Sequence, residues 1–230
     1  MTGAISGVSS MATRGILEEL TRQYQVQTGL AVDCRAMGGV DAAKLVRAGE
    51  PLDIVILARA ALAKLEAAQL IAAGSIRDFA RSSIAVAAPA GGEQLDIATE
   101  DSVRRAFAAA RRVAYSTGPS GDHLLALWRR WDFPDGETRL VQAPPGVPVA
   151  DLLAQGDADI GIQQLSEFLG APGIEIVGAL PAEIQSVTVF AAGVGANSRN
   201  PGPAAHFIEF LCSPDTADAK RAGGMTPASA

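Results

Sequence analysis

The sequence predicts an α/β protein. Three observations carry that prediction. Short apolar segments alternate along the chain with longer ones whose apolar residues recur at helical spacing. The run "LDIVIL" (52–57) is apolar without interruption, as strands buried on both faces of a parallel sheet are. Turns rich in Gly, Ser and Thr sit where a strand passes into a helix, as in "GVSSMATRG" (7–15) and "YSTGPSGDH" (115–123).

Taken in order, Ala4–Ser9 reads as a short, mostly apolar strand. Met11–Thr28 follows as a helix, with Ile16, Leu17, Leu20, Tyr24 and Val26 at roughly helical spacing and Gly29 as its stop. Ala31–Met37 is a second strand, and Gly38-Gly39 opens a short helix, Asp41–Ala48, closed by Gly49. "LDIVIL" is the third strand, and Ala60–Ala73 a helix ending at Gly74. The rhythm then repeats. "IAVAAP" (84–89), "RVAYST" (112–117), "TRLVQA" (138–143) and "DIGIQQ" (159–164) read as strands. Glu100–Arg111, Asp122–Trp131 and Val149–Gln155 read as the helices between them. Gln185–Gly193 is a last strand, followed by helices over Pro203–Leu211 and Pro214–Ala222. Strands separated by helices imply βαβ units with parallel pairing and right-handed crossovers.

Composition narrows the function classes. A chain of 230 residues is long for one domain and short for two independent ones. It can bury roughly 70% of the surface that its unfolded form exposes, so it needs no staples. The net charge of −6 argues against nucleic acid, whose phosphates call for clustered Lys and Arg. The pairs Arg104-Arg105, Arg111-Arg112 and Arg129-Arg130 are dispersed on helical segments and read as solvated faces. Cys34 and Cys212 make neither a disulfide framework nor a metal set, and read as two small buried hydrophobes, with a single bridge as the alternative. His123 and His206 lack zinc-type spacing, so neither metal nor cofactor is expected. No apolar run reaches about 18 residues, which predicts no transmembrane helix. Residues 1–10 lack a basic n-region and an apolar h-region. That predicts a periplasmic protein if the chain is a trimmed mature form, and a cytoplasmic one otherwise.

The chemistry concentrates in the turns. A helix N-terminus leaves backbone N–H groups unpaired and carries about half a positive elementary charge, so it holds an anion without a basic side chain. Hydroxyls add donors that rotate toward oxygen. Ser9, Ser10 and Thr13 meet this description, with Met11 at the helix start; so do Ser116, Thr117, Ser120 and Gly121. Gly38 and Gly39 give a third turn where backbone approaches closely. For any one of these turns, simple N-capping is a sufficient explanation. Their coincidence at the C-terminal ends of parallel strands, where open α/β sheets bind ligands, favours an anion site. Gln163 and Gln164 in "GIQQLSE" (161–167) lie on a strand, so one faces each side; one points into a site, or both are solvated. "APPGVPV" (143–149), with Val147, presents another helix N-terminus. "STGPSGDH" has neither the lysine nor the spacing of a Walker A loop, and "GPSGD" does not match GxSxG, so no nucleotide loop and no serine triad is expected. His123, beside the proposed anion loop, is an acid–base candidate or an ordinary helix-start histidine. Arg14, Arg35 and Arg59 lie near strand ends, where they bind a carboxylate or are simply solvated.

The order of these motifs resembles the molybdate-binding-protein-like branch of the type II periplasmic binding proteins. The stretches that carry the resemblance are "SSMATRGILEEL", "GGVDAAKLVRAGEPLDIVIL", "VAYSTGPSGDHL", "VPVADLLAQGDADIGIQQLSE" and "AAHFIEFLCSPDTADAKRAGG", nearly the whole chain. The resemblance implies two α/β lobes with mixed, mainly parallel sheets: residues 1–82 plus 188–230, and residues 83–187. "SIAVAAP" and "SVTVFAAGV" would be the crossover strands, and an anion would be captured in the cleft between the lobes by hinge closure. It places ligand contacts on Ser9 and Ser10, on the turn after the third strand and on turns of the second lobe. It implies a monomer and, if the chain is exported, an ABC-transporter permease as partner, with no nucleic acid and no direct membrane insertion. Three departures stand out. The turn after "LDIVIL" is Ala58-Arg59 where the family usually has serine, "STGPSGDH" lacks the usual aromatic, and "GIQQLSE" replaces a "GIVY"-type strand. An arginine there suits a carboxylate. The chain also resembles the sub-branch of this fold that includes aconitate isomerase, which moves a double bond by a 1,3-proton shift. On that alternative Arg59 and Arg14 would anchor carboxylates and His123 would shuttle the proton.

Overall fold

The computed structural model describes residues 4–228. β1 (Ile5–Ser10) passes through a 3₁₀ turn, Met11–Thr13, into α1 (Arg14–Thr28). α1 buries Ile16, Leu17, Leu20 and Tyr24 and stops at Gly29, whose φ of 74° sets the left-handed C-cap; its N–H donates to Gln25 O. Val26 departs from the predicted apolar stripe and is 77% exposed. β2 (Val32–Met37), α2 (Gly39–Arg47), β3 (Ile54–Ala58) and α3 (Arg59–Ala67) follow. α3 ends six residues before its predicted stop. Gln69 takes φ 60°, and Ile71 leaves the helix to form a bridge with Gly195. β4 (Arg77–Pro89) is far longer than "IAVAAP". Then come α4 (Glu100–Ala109), opened by a Thr99–Ser102 capping box, and β5 (Val113–Tyr115). α5 (Pro119–Trp131) starts three residues earlier than predicted, with proline in its first turn. β6 (Leu140–Gln142), α6 (Val149–Ala154), β7 (Ile160–Gln164), α7 (Leu165–Phe168) and β8 (Ile174–Ala179) complete the middle of the chain. β9 (Val187–Val194), α8 (Pro201–Cys212), α9 (Ala217–Ala222) and β10 (Thr226–Pro227) close it.

The chain divides into two units. One holds the described residues up to Ser82 together with those from Thr188 onward; the other is Ser83–Val187. β4 and β9 carry the chain from one unit to the other.

In the first unit β1 pairs in parallel with β2 and with β3, and β9 pairs antiparallel to β3. Both faces of this sheet are covered, which is why β3 reads as an unbroken apolar run. Ile54 and Ile56 face α1 and α8, where they join Leu20, Tyr24 and Phe207. Val55 and Leu57 face α2 and α3, where they join Val46, Leu62 and Leu65. Each such side chain contributes about 1.5–3 kcal/mol on burial. Asp53 pins the start of β3. It is 3% exposed, and its carboxylate accepts from Ser6 N–H and Oγ–H, Ser198 Oγ–H, Arg199 N–H, and Asn200 N–H and Nδ2–H. Burial alone would raise its pKa; these donors outweigh burial and hold it below the ordinary carboxylate range.

In the second unit β5 pairs in parallel with β6 and β7, while β4 pairs antiparallel with β7 and β8. Both sheets are therefore mixed, and the antiparallel strands are those that enter or leave a unit. Ile160 and Ile162 face α4 and α5 with Phe107, Trp128 and Trp131. Ala85, Ala87 and Ala114 face α6 and Phe168. The two cysteines are free thiols, half-buried against the first unit's core.

Candidate functional site

The parallel register brings three helix starts to one edge of the first unit. Ser9 and Ser10 pair with Ala36 and Met37, and Ser9 with Ile56, so the C-terminal ends of β1, β2 and β3 lie side by side. There the 3₁₀ turn, α2 and α3 begin, and none of their N-cap residues makes a side-chain cap. Ser10 in particular is not a cap. Its Oγ is buried with no hydrogen-bond partner, while that of Ser9, also buried, faces the Cys34 thiol. The two side chains point to opposite faces of the strand. Ser10 lies on the α2 side: a Cβ placed on Gly39 would stand 4.0 Å from Ser10 Cβ. Ser9 lies on the α1 side and lines a groove of about 440 Å³ with Arg14, Cys34 and Arg35. Burial pushes the Cys34 thiol up to about 11, against a smaller opposing contribution from Ser9. Thr13 is spent locally, donating from Oγ1 to Ser10 O at 3.0 Å. Met11, Gly38 and Gly39 are half-buried at the same edge.

The three arginines are all ion-paired. Arg59 meets Asp78 at 3.2 Å, Arg14 meets Glu18 at 3.0 Å, and Arg35 bonds Glu50. All are exposed pairs of the weak kind. Arg59, read from the sequence as a carboxylate anchor, is thus balanced by an acid of β4.

The second unit builds a comparable edge from β5 and β7. Gln163 and Gln164 are both buried, 3% and 2% exposed, which excludes the solvated alternative. Gln163 points to the α6–α7 side, where its Nε2–H donates to Ser116 Oγ at 3.2 Å and to Glu167 Oε2 at 2.7 Å. Its carbonyl Oε1 is buried with no partner. Burial raises the Glu167 carboxyl to about 8, against hydrogen bonds from Gln164 N–H and the Gln163 amide. Glu167 was missed from the sequence although "GIQQLSE" contains it; its i+4 spacing from Gln163 across a strand–helix junction was the available signal. Ser120 is 2% exposed within the first turn of α5, whereas Thr117 is exposed. Gly121 serves packing, because a Cβ there would lie 2.0 Å from Ser116 O and 3.0 Å from the Tyr115 ring. Val147 sits in a turn, its N–H donating to Pro144 O at 3.0 Å. His123 Nε2 lies 2.6 Å from Ile184 O. A carbonyl only accepts, so Nε2 carries the proton and that nitrogen is committed to the backbone. Among the described residues no cluster of His, Cys, Asp and Glu is arranged to hold a metal.

The sequence family described as bacterial extracellular solute-binding protein matches residues 5–226. This chain belongs to that family. Solute-binding relatives share the fold closely. The periplasmic molybdate-binding protein of Azotobacter vinelandii superposes with a TM-score of 0.82 at 22% identity, over 96% of this chain and 98% of that one. The tungstate-binding protein of Desulfovibrio alaskensis gives 0.65 at 18% identity, over 98% and 99%. In sequence, an aconitate isomerase of a Pseudomonas species is 33% identical over 227 residues, 96% of this chain and 86% of that protein. No helix among the described residues is long and apolar enough to cross a membrane.

Proposed function

We propose that this solute-binding protein takes up a small anion, an oxyanion or a di- or tricarboxylate, and that the Ser9–Ser10 turn is its principal grip. The observation that carries the reading is the buried Ser10 hydroxyl, which caps nothing and bonds nothing in the protein. A buried polar group without a partner costs about 1–3 kcal/mol, so its retention beside three helix starts makes sense as a donor held for a ligand. In the second unit the candidate contacts are Ser116, Ser120, Val147 and Gln163. Two relatives of the same fold are named for oxyanions, molybdate and tungstate. A role in uptake implies an ABC-type membrane permease as partner.

A thermal-shift panel of molybdate, tungstate, sulfate, citrate and the two aconitates tests the reading. A ligand at 100 times its Kd adds about 2.7 kcal/mol, which for a chain of this size raises Tm by roughly 5–10 °C. No shift with any of them at millimolar concentration defeats it.

A second reading, isomerisation on the same scaffold, rests on the 33% identity to aconitate isomerase. On it, the bound tricarboxylate undergoes a 1,3-proton shift. His123 enters that reading with Nε2 already bonded to Ile184 O. Incubation with cis- and trans-aconitate, followed by ultraviolet absorbance, decides: no interconversion removes the isomerase reading and leaves binding.

A further inference from the structure

We propose that Glu167 is a positioning residue that sets which end of the Gln163 amide, N–H donor or carbonyl acceptor, is turned toward an anion at the C-terminal edge of β5 and β7. The inference deepens the anion-binding reading and rests on it.

The geometry starts from one side chain with two ends. Both N–H groups of Gln163 are used within the protein, on Ser116 Oγ and on Glu167 Oε2. Its carbonyl oxygen is the end left over, buried and without a donor. That is the wrong end to offer an anion, because lone pair would face negative charge. Rotation of the amide by half a turn exchanges the two ends without moving another atom. The exchange needs donors for the carbonyl in its new place. Ser116 supplies one, since a hydroxyl donates as well as accepts. Glu167 supplies the other only as a neutral carboxyl. With Glu167 protonated, its O–H and that of Ser116 hold the Gln163 carbonyl, and the amide NH₂ is released to face the ligand. With Glu167 ionised, the carboxylate draws the NH₂ back, the arrangement seen here, and the buried carbonyl is the end left toward the ligand.

The surroundings favour the neutral form. Burial brings the Glu167 carboxyl to about 8, so the acid predominates at neutral pH. β7 and β6 carry no titratable side chain, nor does β4 between Ser83 and Pro89. On the other elements packed around this corner, Asp122 of α5, Asp151 of α6 and Glu175 of β8 are exposed, and Tyr115 of β5 has its pKa raised, chiefly by burial. The upward shift of Glu167 comes from burial, against two hydrogen bonds that lower it, with no charged neighbour among its causes. Glu167 therefore acts on the ligand through Gln163, making an acidic residue favourable to anion capture.

The test compares the wild type with Glu167→Gln and Glu167→Ala, titrating each with molybdate and with trans-aconitate between about pH 6 and about pH 9.5 by calorimetry. Wild-type affinity is expected to hold below about pH 8 and to fall about tenfold per pH unit above it. Glutamine is the permanent mimic of the neutral acid, because its amide donates to the Gln163 carbonyl at every pH. Glu167→Gln should keep the low-pH affinity and lose that fall. Glu167→Ala should bind at least about tenfold more weakly throughout, with the fall also gone. If a probe binds and the wild type and Glu167→Gln share one pH profile, the Glu167 assignment is overturned while anion binding stands. If neither probe binds the wild type at any pH, the anion reading fails and this one with it.

Discussion

Substitution of Ser10 by alanine separates a ligand contact from a helix cap, because the two roles predict opposite signs. A serine that caps a helix loses about 1 kcal/mol of stability, and up to 2, when its oxygen is removed. Ser10 makes no such cap, and its Oγ has no partner in the protein. Its removal therefore breaks no hydrogen bond in the free protein and deletes one unsatisfied buried oxygen. Alanine fits the same space, and Thr13 Oγ1 bonds the backbone oxygen of residue 10, which the substitution keeps. We expect Ser10→Ala to leave stability within about 0.5 kcal/mol of wild type, or to raise it, since what is lost is a group that costs about 1–3 kcal/mol when unpaired. In the complex the same hydroxyl donates to a charged oxygen, a bond of about 1.5–3 kcal/mol, so affinity falls roughly 10- to 100-fold. Urea denaturation gives the first quantity, and calorimetric titration with the best anion of the thermal-shift panel gives the second. A loss of about 1 kcal/mol in stability with unchanged affinity would return Ser10 to the rank of an ordinary cap and refute the argument.

The remaining predictions concern the frame around the two edges. Asp53→Ala leaves the donors of Ser6, Ser198 and Asn200 unpaired and should cost about 3 kcal/mol by chemical denaturation. Because the folded pKa of Asp53 is depressed, its contribution is complete above the unfolded value of about 4 and is lost as pH falls toward the folded one. Wild-type stability should therefore drop steeply in acid below about pH 4, and that of Asp53→Asn less so. Gly121→Ala places a methyl 2.0 Å from Ser116 O and should cost at least about 2 kcal/mol, with weaker anion binding as the β5–α5 turn shifts; an unchanged melting curve would refute the packing role. Cys34, its thiol raised to about 11, should react with Ellman's reagent at about pH 8 at least tenfold more slowly in the folded than in the urea-unfolded protein.

What the sequence disclosed depends on how local each cause was. α1 was legible because Ile16, Leu17, Leu20 and Tyr24 supply one helical face and Gly29 the stop, all within 15 residues or next to them. The same rule overextended α3, because Leu70 and Ile71 continue an apolar pattern that a distant partner, Gly195, claims for a bridge. β8 was missed for a related reason: Ile174–Ala179 is short and contains Gly178, and its place is fixed by pairing with Ala85–Pro89, nearly ninety residues earlier in the chain. The turns of the candidate site were found because Ser, Thr and Gly at strand ends are visible in one dimension. Their division of labour was not visible. Thr13 braces the turn, Gly121 admits a carbonyl, and Ser10 is left unspent, yet all three belong to the same kind of motif. Arg59 illustrates the converse, since a cation next to a strand end invites a ligand until Asp78, nineteen residues away, is seen to face it.

The charge economy of the edge bears on which anions it can select. Arg14, Arg35 and Arg59 are each matched by an acid, and the chain as a whole is negative, so long-range attraction does not bring the ligand in. On the anion-binding proposal, affinity would then depend on short-range donors at fixed positions: helix-start N–H groups, serine hydroxyls and an amide held by its neighbours. Such donors are neutral, and a surface cation's reach and salt sensitivity are absent from them. Two consequences are measurable together. Affinity for the bound anion should change less than about threefold between about 0.05 and 0.5 M sodium chloride, and discrimination among anions of equal charge should be large, because fixed donors reward shape more than charge. A steep loss of affinity with salt, of the kind that accompanies ion pairing, would show that a basic side chain carries the binding after all and would reinstate Arg59 as the anchor.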